Sequence, residues 1–344
     1  MSIRNESIEM LEIGSEFMTD SFKRGKNEYC YLVNYPKRYV LSGRTGLYLI
    51  AQELLNGGIS SVALPAYCCG SMVAPFVDAG FSISFYSGDD LSRAKAVLIM
   101  DYFGFLNSKT VEYAIKCCDA GVKVIVDATQ TAFSRSRTYD YADYIVVSYR
   151  KWLDCLCAAV YSKKGFGTPE YTLEKNEYVE RWRNAAKKKR DFLENGKGNK
   201  QDFLDMYAQA NHMLAIDYIG YRACDSEIEK FENCDSHYIR EMRRKNANIL
   251  IQGLSAKIDV MIDHMSEEDC PLHVPVLFET EKRARIRKLL IHESIYCPCH
   301  WPIDEQYPHQ RTVYHDNEMS LICDQRYSEK DMLREVTAVF EAMK

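Results

Sequence analysis

The distribution of apolar residues between positions 40 and 162 predicts helices and strands that alternate along the chain. In residues 44–55 the apolar side chains recur at the spacing of one helix face, and two glycines follow at positions 57 and 58. Short apolar runs bounded by glycine, proline or polar residues predict buried strands. The predicted helices are 44–55, 71–79 and 108–120, and the predicted strands are 61–64, 81–86, 96–100, 122–126, 144–147 and 157–161.

This order of elements predicts an α/β fold. Strands that are apolar throughout are buried on both faces, and the helices between them cover the two sides of a mostly parallel sheet. We therefore expect a three-layer, doubly wound sheet. Ligands of such sheets bind beyond the carboxyl ends of the strands, so the candidate functional residues are those that follow each apolar run.

The pattern changes after Gly167, where the segments become longer, more charged and helix-like up to residue 256. The later segments are predicted as a loop (196–199), a strand (273–277) and two helices (281–290 and 329–343). We place a domain boundary near residue 220. It separates a large domain with an N-terminal arm, residues 1–220, from a smaller α+β domain, residues 221–344.

Composition and charge narrow the class of protein. The chain has 344 residues, of which 47% are hydrophobic and 27% charged, and this excludes a disordered or low-complexity protein. The net charge of -5 gives no electrostatic footprint for nucleic acid. Residues 1–7 lack the apolar region of a secretory signal, and no apolar run approaches the roughly 18 residues of a membrane span. We expect a cytoplasmic enzyme that binds neither nucleic acid nor membrane.

The 13 cysteines are distributed unlike a disulfide framework. Their number is odd, adjacent pairs occur at 68–69 and 117–118, and others lie in apolar segments, where reduced cysteine packs as a small hydrophobe. Cys297, Cys299 and His300 form the one cluster that suggests a metal or redox site. No second pair of ligands lies nearby at a metal-binding spacing, so we expect reduced thiols and no metal.

Motifs for several common chemistries are absent from the sequence. There is no glycine-rich dinucleotide motif after a strand, no P-loop, no G-x-S-x-G and no H-E-x-x-H. A doubly wound sheet without them is not typical of a dehydrogenase, a P-loop nucleotidase, a hydrolase or a zincin.

An acid and a lysine follow two successive buried strands. Asp127 ends one apolar run, and Ser148 and Lys151 follow the next. The pair suits pyridoxal phosphate (PLP), because a lysine holds that cofactor as a Schiff base while a carboxylate keeps its ring nitrogen protonated. If a helix begins at Asp127, Gln130 lies one turn further on and faces the same ring. Taken alone, Asp127 is also explained as a helix N-cap, and Lys151 as a solvated loop residue.

Residues 42–46, Ser-Gly-Arg-Thr-Gly, stand where a loop enters the first predicted helix. The free N–H groups and the positive dipole end of a helix N-terminus suit a phosphate. Gly43 permits close approach, Ser42 or Thr45 adds a hydroxyl group, and Ser148 supplies a further one. These residues are a candidate cradle for the cofactor phosphate.

Together these segments resemble the fold-type I PLP-dependent enzymes, and among them the DegT/DnrJ/StrS family of sugar aminotransferases. Along residues 40–165 the chain carries S-G-x-x-G-L, L-P-A-Y, D-A-T-Q and S-x-x-K in that order. They are similar to the family's S-G-T-x-A-L phosphate segment, its P-x-Y-T-F segment, its D-A-A-Q segment and its lysine. Residues 100–104, Met-Asp-Tyr-Phe-Gly, resemble the family's V-H-L-Y-G.

The resemblance implies a role for each matched residue. Lys151 would form the Schiff base and move the α-proton of the substrate. Asp127 would pair with the pyridinium nitrogen, and Gln130 would contact the ring hydroxyl. The residues implied around the phosphate are Gly43, Arg44 and Ser148.

The reaction implied by the resemblance transfers an amino group, typically from glutamate, to a keto group of a nucleotide-linked sugar. The resemblance also implies a place in polysaccharide biosynthesis. Lys151 favours transamination over sugar dehydration, because dehydratases of the family typically carry histidine in place of the lysine. The family works as homodimers, so we expect a homodimer in which the partner subunit completes the active site.

The sequence departs from the family at the position of the ring that stacks on the cofactor. The aligned residue is Cys69, and either Tyr67 replaces the ring or the stacking is lost. The spacing from Ser148 to Lys151 is shorter than in many members, and the small pair that normally follows the lysine is absent. These departures leave a second hypothesis open, in which a catalytically altered chain keeps the fold as a binding or regulatory protein.

Overall fold

The computed structural model describes residues 12–19, 21–28, 32, 35–88, 94–262 and 264–344. The predictions made for residues 1–7 and for Cys30 fall outside these ranges. In chain order the strands are β1 (Ile13–Gly14), β2 (Lys37–Val40), β3 (Ser61–Pro65), β4 (Ser82–Tyr86), β5 (Ala96–Ile99), β6 (Lys123–Asp127), β7 (Tyr144–Ser148), β8 (Ala158–Ser162), β9 (Leu173–Glu174), β10 (Tyr221–Arg222), β11 (Asp259–Val260), β12 (His273–Leu277), β13 (Ile295–Tyr296) and β14 (Glu318–Ile322).

Helices stand between most of these strands and after them. In chain order they are α1 (Gly43–Asn56), α2 (Gly70–Asp78), α3 (Ser108–Asp119), α4 (Asn176–Asn195), α5 (Lys200–Ile216), α6 (Asp225–Glu232), α7 (Ser236–Leu254), α8 (Thr280–His292), α9 (Val313–Asn317) and α10 (Glu329–Met343). The helices and strands predicted from the apolar pattern are confirmed, with ends that coincide or differ by one or two residues.

The large sheet is mostly parallel where the predicted βα units form it. In the described part of the chain it has nine strands in the order β4-β3-β5-β6-β7-β8-β2-β10-β9. The strands from β4 to β7 pair in parallel, whereas β8 is antiparallel to both β7 and β2. The carboxyl ends of β6 and β7 therefore lie side by side at one edge of the sheet.

Helices cover both faces of this sheet, as the strands without polar positions predict. Val124 and Val126 of β6 pack with buried residues of α3, while Ile125 packs on the other face with α1 and α2. Successive residues of a strand point to opposite faces, so every position of such a strand is apolar. The predicted three-layer α/β architecture is confirmed.

Local capping fixes where the helices next to the strand ends begin and stop. The side chain of Ser42 accepts a hydrogen bond from the backbone N–H of Thr45, 3.2 Å away, and so caps the start of α1. Asn107 caps α3 in the same way, and Gly121, at a φ of +71°, follows the end of that helix.

The C-terminal region forms a smaller α+β unit of structure. Strands β11, β12 and β14 make an antiparallel sheet, and α7, α8 and α10 pack on it around a core of their own. The first described strand, β1, pairs with β13 of this region. Strand β10 still belongs to the large sheet, and the domain boundary near residue 220 stays a prediction.

Two sequence expectations concern membranes and disulfides. In the parts of the chain that the structure describes, no helix has the length and apolar character needed to cross a membrane. The cysteines in these ranges are all free, and most of them are buried.

Candidate active site

A cavity of about 250 Å³ lies at the carboxyl ends of β6 and β7, next to the N-terminus of α1. We call it the first cavity. The strand ends contribute most of its polar groups, and α1, α2, α4, α5 and the segment after β13 complete its wall. It is lined by Leu41, Ser42, Gly43, Arg44, Leu47, Cys69, Ser71, Met72, Met100, Asp127, Thr129, Gln130, Ser148, Arg150, Lys151, Tyr178, Asn211, Leu214 and Trp301.

Asp127 is the last residue of β6 and presents a buried carboxyl group to the first cavity. One of its oxygens accepts a hydrogen bond from the backbone N–H of Thr129, 2.8 Å away. Burial raises the pKa of this carboxyl group, although the Thr129 hydrogen bonds and the charge of Lys151 oppose the rise. Among the described residues, Lys151 is the cation whose charge acts on this buried acid, and a cationic ligand group beside it would further offset the cost of its burial.

Gln130 also lines the first cavity, although no helix begins at Asp127. Residues 128–131 are turns instead, and the side chain of Gln130 is buried there. Its Oε1 accepts a hydrogen bond of 2.6 Å from the backbone N–H of Phe103. Its Nε2 is buried and has no hydrogen-bond partner within the described ranges, so a donor is left free for a ligand.

Gly43 and Ser148 bring the start of α1 close to the end of β7. A Cβ atom added to Gly43 would lie 3.3 Å from the Cβ of Ser148 and 3.9 Å from Oγ1 of Thr129. The backbone N–H of Ser148 donates to that same Oγ1 over 3.1 Å. Glycine thus keeps open a narrow space between a helix N-terminus and two hydroxyl groups, which is a suitable cradle for a phosphate.

Lys151 stands in the short 3-10 turn that follows β7, and its side chain is exposed to the first cavity. Its neighbour Arg150 also faces the cavity. The guanidinium group of Arg150 donates to the hydroxyl of Tyr178 and to the side chain of Asn211, and it lies 4.8 Å from the ring of Trp182. Helices α4 and α5 therefore form one wall of the site.

Two of the residues predicted around the cofactor, Thr45 and Tyr67, do not line the first cavity, whereas Arg44 does. Arg44 lines the first cavity, with its guanidinium 5.4 Å from the ring of Tyr218. Thr45 does not line it, because its buried hydroxyl donates to the backbone carbonyl of Tyr218 over 2.8 Å. We therefore leave Thr45 out of the candidate phosphate contacts.

Tyr67 is the second correction. It is buried outside the first cavity, stacks on Tyr102 at 5.4 Å between ring centroids, and donates its hydroxyl to the carbonyl of His300. It cannot stack on a ligand in the cavity, so that alternative is withdrawn. Cys69 does line the cavity, and the aromatic side chains that line it too are those of Tyr178 and Trp301.

Sequence reasoning missed the functional placement of several residues. Thr129 belongs to the D-A-T-Q segment, but its hydrogen bond with the backbone N–H of Ser148 depends on the pairing of β6 with β7. Arg150 precedes the lysine and carried no motif. Asn211 and Trp301 reach the cavity from segments far away in sequence, where no local pattern marks them.

The cysteine cluster has no metal-site geometry. The thiol of Cys297 donates to Glu335, and Nδ1 of His300 lies 3.0 Å from Oγ of Ser320. Over the described residues, no group of three or more histidine, cysteine, aspartate or glutamate side chains is arranged to hold a metal ion.

Comparisons with known proteins give matches among solved structures. No family model matches the sequence. No curated protein matches it either. NtdA from Bacillus subtilis, solved with bound cofactor PMP, matches with a TM-score of 0.62 at 16% identity, over 93% of this chain and 78% of that chain. DesI, solved in the presence of its TDP-sugar product, matches with a TM-score of 0.62 at 12% identity, over 93% and 84% of the two chains.

A third match has the type of fold that the sequence motifs indicated. It is a DegT DnrJ EryC1 StrS aminotransferase from Brucella abortus, with a TM-score of 0.59 at 14% identity, over 90% of this chain and 87% of that chain. Likeness at these identities establishes the fold. The predicted resemblance to sugar aminotransferases is therefore confirmed at the level of the fold.

Proposed function

We propose that this chain is a PLP-dependent aminotransferase that moves an amino group, from glutamate, to a keto group of a nucleotide-linked sugar or a related small molecule. The observation that carries the proposal is that Asp127 and Lys151, which follow two different strands, line one cavity at the N-terminus of α1. The fold shared with aminotransferases supports it, as does the TDP-sugar product bound by one of the matching structures.

The residues of the first cavity fit the cofactor. The Nε2 of Gln130, which is buried without a partner among the described residues, can donate to the ring hydroxyl, and the cradle between Gly43 and Ser148 has room for the phosphate. A protonated ring nitrogen would give Asp127 the positive partner that its burial requires. Lys151 would hold the cofactor covalently.

When bound, PLP acts as an electron sink that makes an amino group transferable. The chain supplies the rest. Lys151 would act as the base that moves the proton of the substrate carbon next to the amino group. Asp127, at the end of β6, would hold a proton on the ring nitrogen.

The test is the spectrum of the protein after incubation with PLP. We expect an absorbance band near the visible edge that borohydride fixes to the chain, and we expect Lys151→Ala to abolish the borohydride-fixed label. Lys164→Ala, which removes an exposed lysine away from the cavity, is the matched control. A wild-type protein that stays colourless with PLP would refute the proposal.

A second candidate function is favoured by Cys69, which lines the cavity at the position where the resemblance places a stacking ring. In that case the chain binds PLP as a binding or regulatory protein and does not exchange amino groups. A half-reaction screen separates the two functions. Conversion of the cofactor spectrum to the pyridoxamine form on addition of glutamate supports the aminotransferase, and binding without conversion by any amino donor supports the alternative.

We also propose that the enzyme acts as a homodimer whose partner subunit completes the site. The support is the resemblance described above. Sedimentation equilibrium of the purified chain tests it, because a monomer at micromolar concentration would contradict the proposal.

A further inference from the structure

The residue after Lys151 is a fully buried tryptophan, which stands at the end of the 3-10 turn. The ring of Trp152 packs edge-on against the ring of Phe133, with 5.3 Å between the centroids, and the guanidinium group of Arg243 lies 4.6 Å from its centroid. A large flat side chain enclosed in this way keeps one orientation, because a rotation would displace its neighbours. The indole of Trp152 is therefore a rigid attachment point beside the lysine.

The indole of Trp152 joins two turns of the candidate site. Its Nε1 donates a hydrogen bond of 2.8 Å to the backbone carbonyl of Thr129. Trp152 belongs to the turn after β7, and Thr129 belongs to the turn after β6, the strand that ends at Asp127. Both bonded groups are buried, so loss of the N–H would leave the carbonyl oxygen unpaired away from water.

Thr129 extends this link to the acid. Its backbone N–H donates to the carboxylate of Asp127 over 2.8 Å, and its Oγ1 accepts from the backbone N–H of Ser148 over 3.1 Å. The three polar groups of Thr129 thus bond Asp127, the end of β7 and Trp152. One residue connects the acid to the turn that carries Lys151.

The backbone of Trp152 is also held by the C-terminal region. Its carbonyl accepts a hydrogen bond of 2.6 Å from Nε2 of Gln325, and Oε1 of the same amide accepts from Nε of Arg243 over 2.7 Å. Within the turn, the N–H of Trp152 donates to the carbonyl of Tyr149 over 2.8 Å. The main chain at Lys151 therefore adjoins a residue whose backbone and side chain are both anchored.

We propose that Trp152 is a positioning residue for the reaction, which holds the backbone of Lys151 in a fixed place relative to Asp127 through Thr129. This proposal rests on the proposed function, in which Lys151 and Asp127 contact the same cofactor. A lysine side chain is long and flexible, so the reach of its amino group depends on where its backbone is anchored. A shift of about 1 Å in a reacting group can slow a reaction by about a hundredfold.

The first arm of the test is hydrogen exchange in the full chain without cofactor. Trp152→Phe keeps an aromatic ring at this position and removes the N–H. The amides of residues 152 and 153 both bond the carbonyl of Tyr149. We expect them to exchange about tenfold to a hundredfold faster in the variant than in the wild type. Mass spectrometry of a peptide that spans residues 149–157 measures the exchange.

Tyr86→Phe is the matched control, because it also removes one hydrogen bond from an aromatic side chain to a backbone carbonyl of the large sheet. The hydroxyl of Tyr86 donates to the carbonyl of Leu98 over 2.7 Å, and neither residue lines the first cavity. We expect the two variants to lose similar amounts in melting temperature. In Tyr86→Phe, however, the exchange of residues 149–157 should match that of the wild type.

The second arm is the glutamate half-reaction of the protein loaded with PLP, followed by stopped-flow absorbance. Trp152→Phe should still give the borohydride-fixed label. Its maximal rate should fall by about tenfold to a hundredfold, while the glutamate concentration at half-maximal rate changes by less than about twofold. A tryptophan that only filled the core would lower the melting temperature and leave the rate of the folded protein unchanged.

The proposal is overturned if folded Trp152→Phe exchanges as the wild type does, or if its rate falls no further than that of Tyr86→Phe. A second variant keeps the test decisive if Trp152→Phe does not fold, which circular dichroism would reveal. Gln325→Glu removes the donor to the carbonyl of Trp152 and keeps an oxygen that accepts from Arg243. It should speed the exchange of the same peptide and slow the half-reaction, and a variant that does neither overturns the proposal as well.

The outcome is separate from that of the proposed function. Wild-type protein that shows no borohydride-fixed band with PLP would refute the cofactor assignment, and the exchange arm would still decide whether Trp152 holds the turn. Wild-type protein that converts the cofactor with glutamate, together with a Trp152→Phe variant of equal rate, would keep the proposed function and overturn the positioning role.

Discussion

Glu335 of α10 is a carboxyl group without exposure to solvent, in the core of the C-terminal region. Its Oε1 accepts hydrogen bonds from the backbone N–H of Ile322 at 3.0 Å and from the thiol of Cys297 at 3.4 Å. Its Oε2 has no partner among the described residues. Burial raises the pKa of this group from 4.5 to about 8, although both hydrogen bonds oppose the rise.

This pKa makes the free energy of unfolding depend on pH in a defined direction. Between pH 4.5 and about pH 8 the folded chain holds the proton of Glu335 and the unfolded chain has lost it. The stabilisation due to the neutral acid is therefore present in full below pH 4.5, and it declines as pH rises to about 8. At about 1.4 kcal/mol per pH unit, the decline amounts to at most about 5 kcal/mol.

Glu335→Gln removes the titration while keeping the shape of the side chain. The amide oxygen can accept the same two hydrogen bonds, and the amide never becomes charged. We expect the variant to be less dependent on pH than the wild type, and to become the more stable of the two at about pH 9. Urea unfolding at about pH 5, 7 and 9, followed by near-UV circular dichroism, measures the difference.

Glu341→Gln is the control for the loss of one acidic side chain, because Glu341 is exposed on the same helix. The reasoning is refuted if the stability difference between wild type and Glu335→Gln is the same at about pH 5 and at about pH 9. A difference of the opposite sign, with the wild type gaining at high pH, would refute it as well.

Two further substitutions test the site and the fold. Asp127→Asn should still bind PLP but should slow the glutamate half-reaction by about a hundredfold or more, because the ring nitrogen loses its charged partner. Stopped-flow absorbance measures the rate of this half-reaction. The control is Asp101→Asn, which alters a buried acid outside the cavity and should leave the rate unchanged. Gly104→Ala should lower the melting temperature and cost about 2 kcal/mol or more, since its φ is +91° and the new Cβ would meet the carbonyl oxygen of Cys270 at 2.0 Å. Gly121→Ala, at a φ of +71° with no atom within 4 Å, should cost less in the same thermal melt.

Hydrophobic periodicity predicted the centre of the sheet and its helices because strands β5, β6 and β7 are buried on both faces. In β5, β6 and β7 the apolar run is continuous, and such a run has few alternatives to a central strand. The short strands β9, β10, β11 and β13 have two residues each, and their sequences carry no periodic signal. Their positions are decided by pairing with distant segments, which a single sequence does not reveal.

The same distinction separates the parts of the site that could be predicted from those that could not. The ends of β6 and β7 and the turns after them carry Asp127, Gln130, Ser148 and Lys151. The topology alone therefore brings these residues to one edge of the sheet. Tyr67 was misplaced because its side-chain direction depends on packing against Tyr102 and on the C-terminal segment. The cavity between the segment around β1 and the C-terminal sheet was not predicted at all, since its walls come from segments that are more than 300 residues apart.

Asp127 and Lys151 line the same cavity because the register of the strands places them there. Asp127 is opposite Val146 in the parallel pairing of β6 with β7, and Ser148 is opposite Ala158 in the pairing of β7 with β8. A slip of one residue in β7 would turn Val146 to the other face of the sheet and shift the turn that carries Lys151. Because β7 is buried on both faces by side chains of different size, such a slip is costly, and the apolar core thereby fixes the geometry of the polar site.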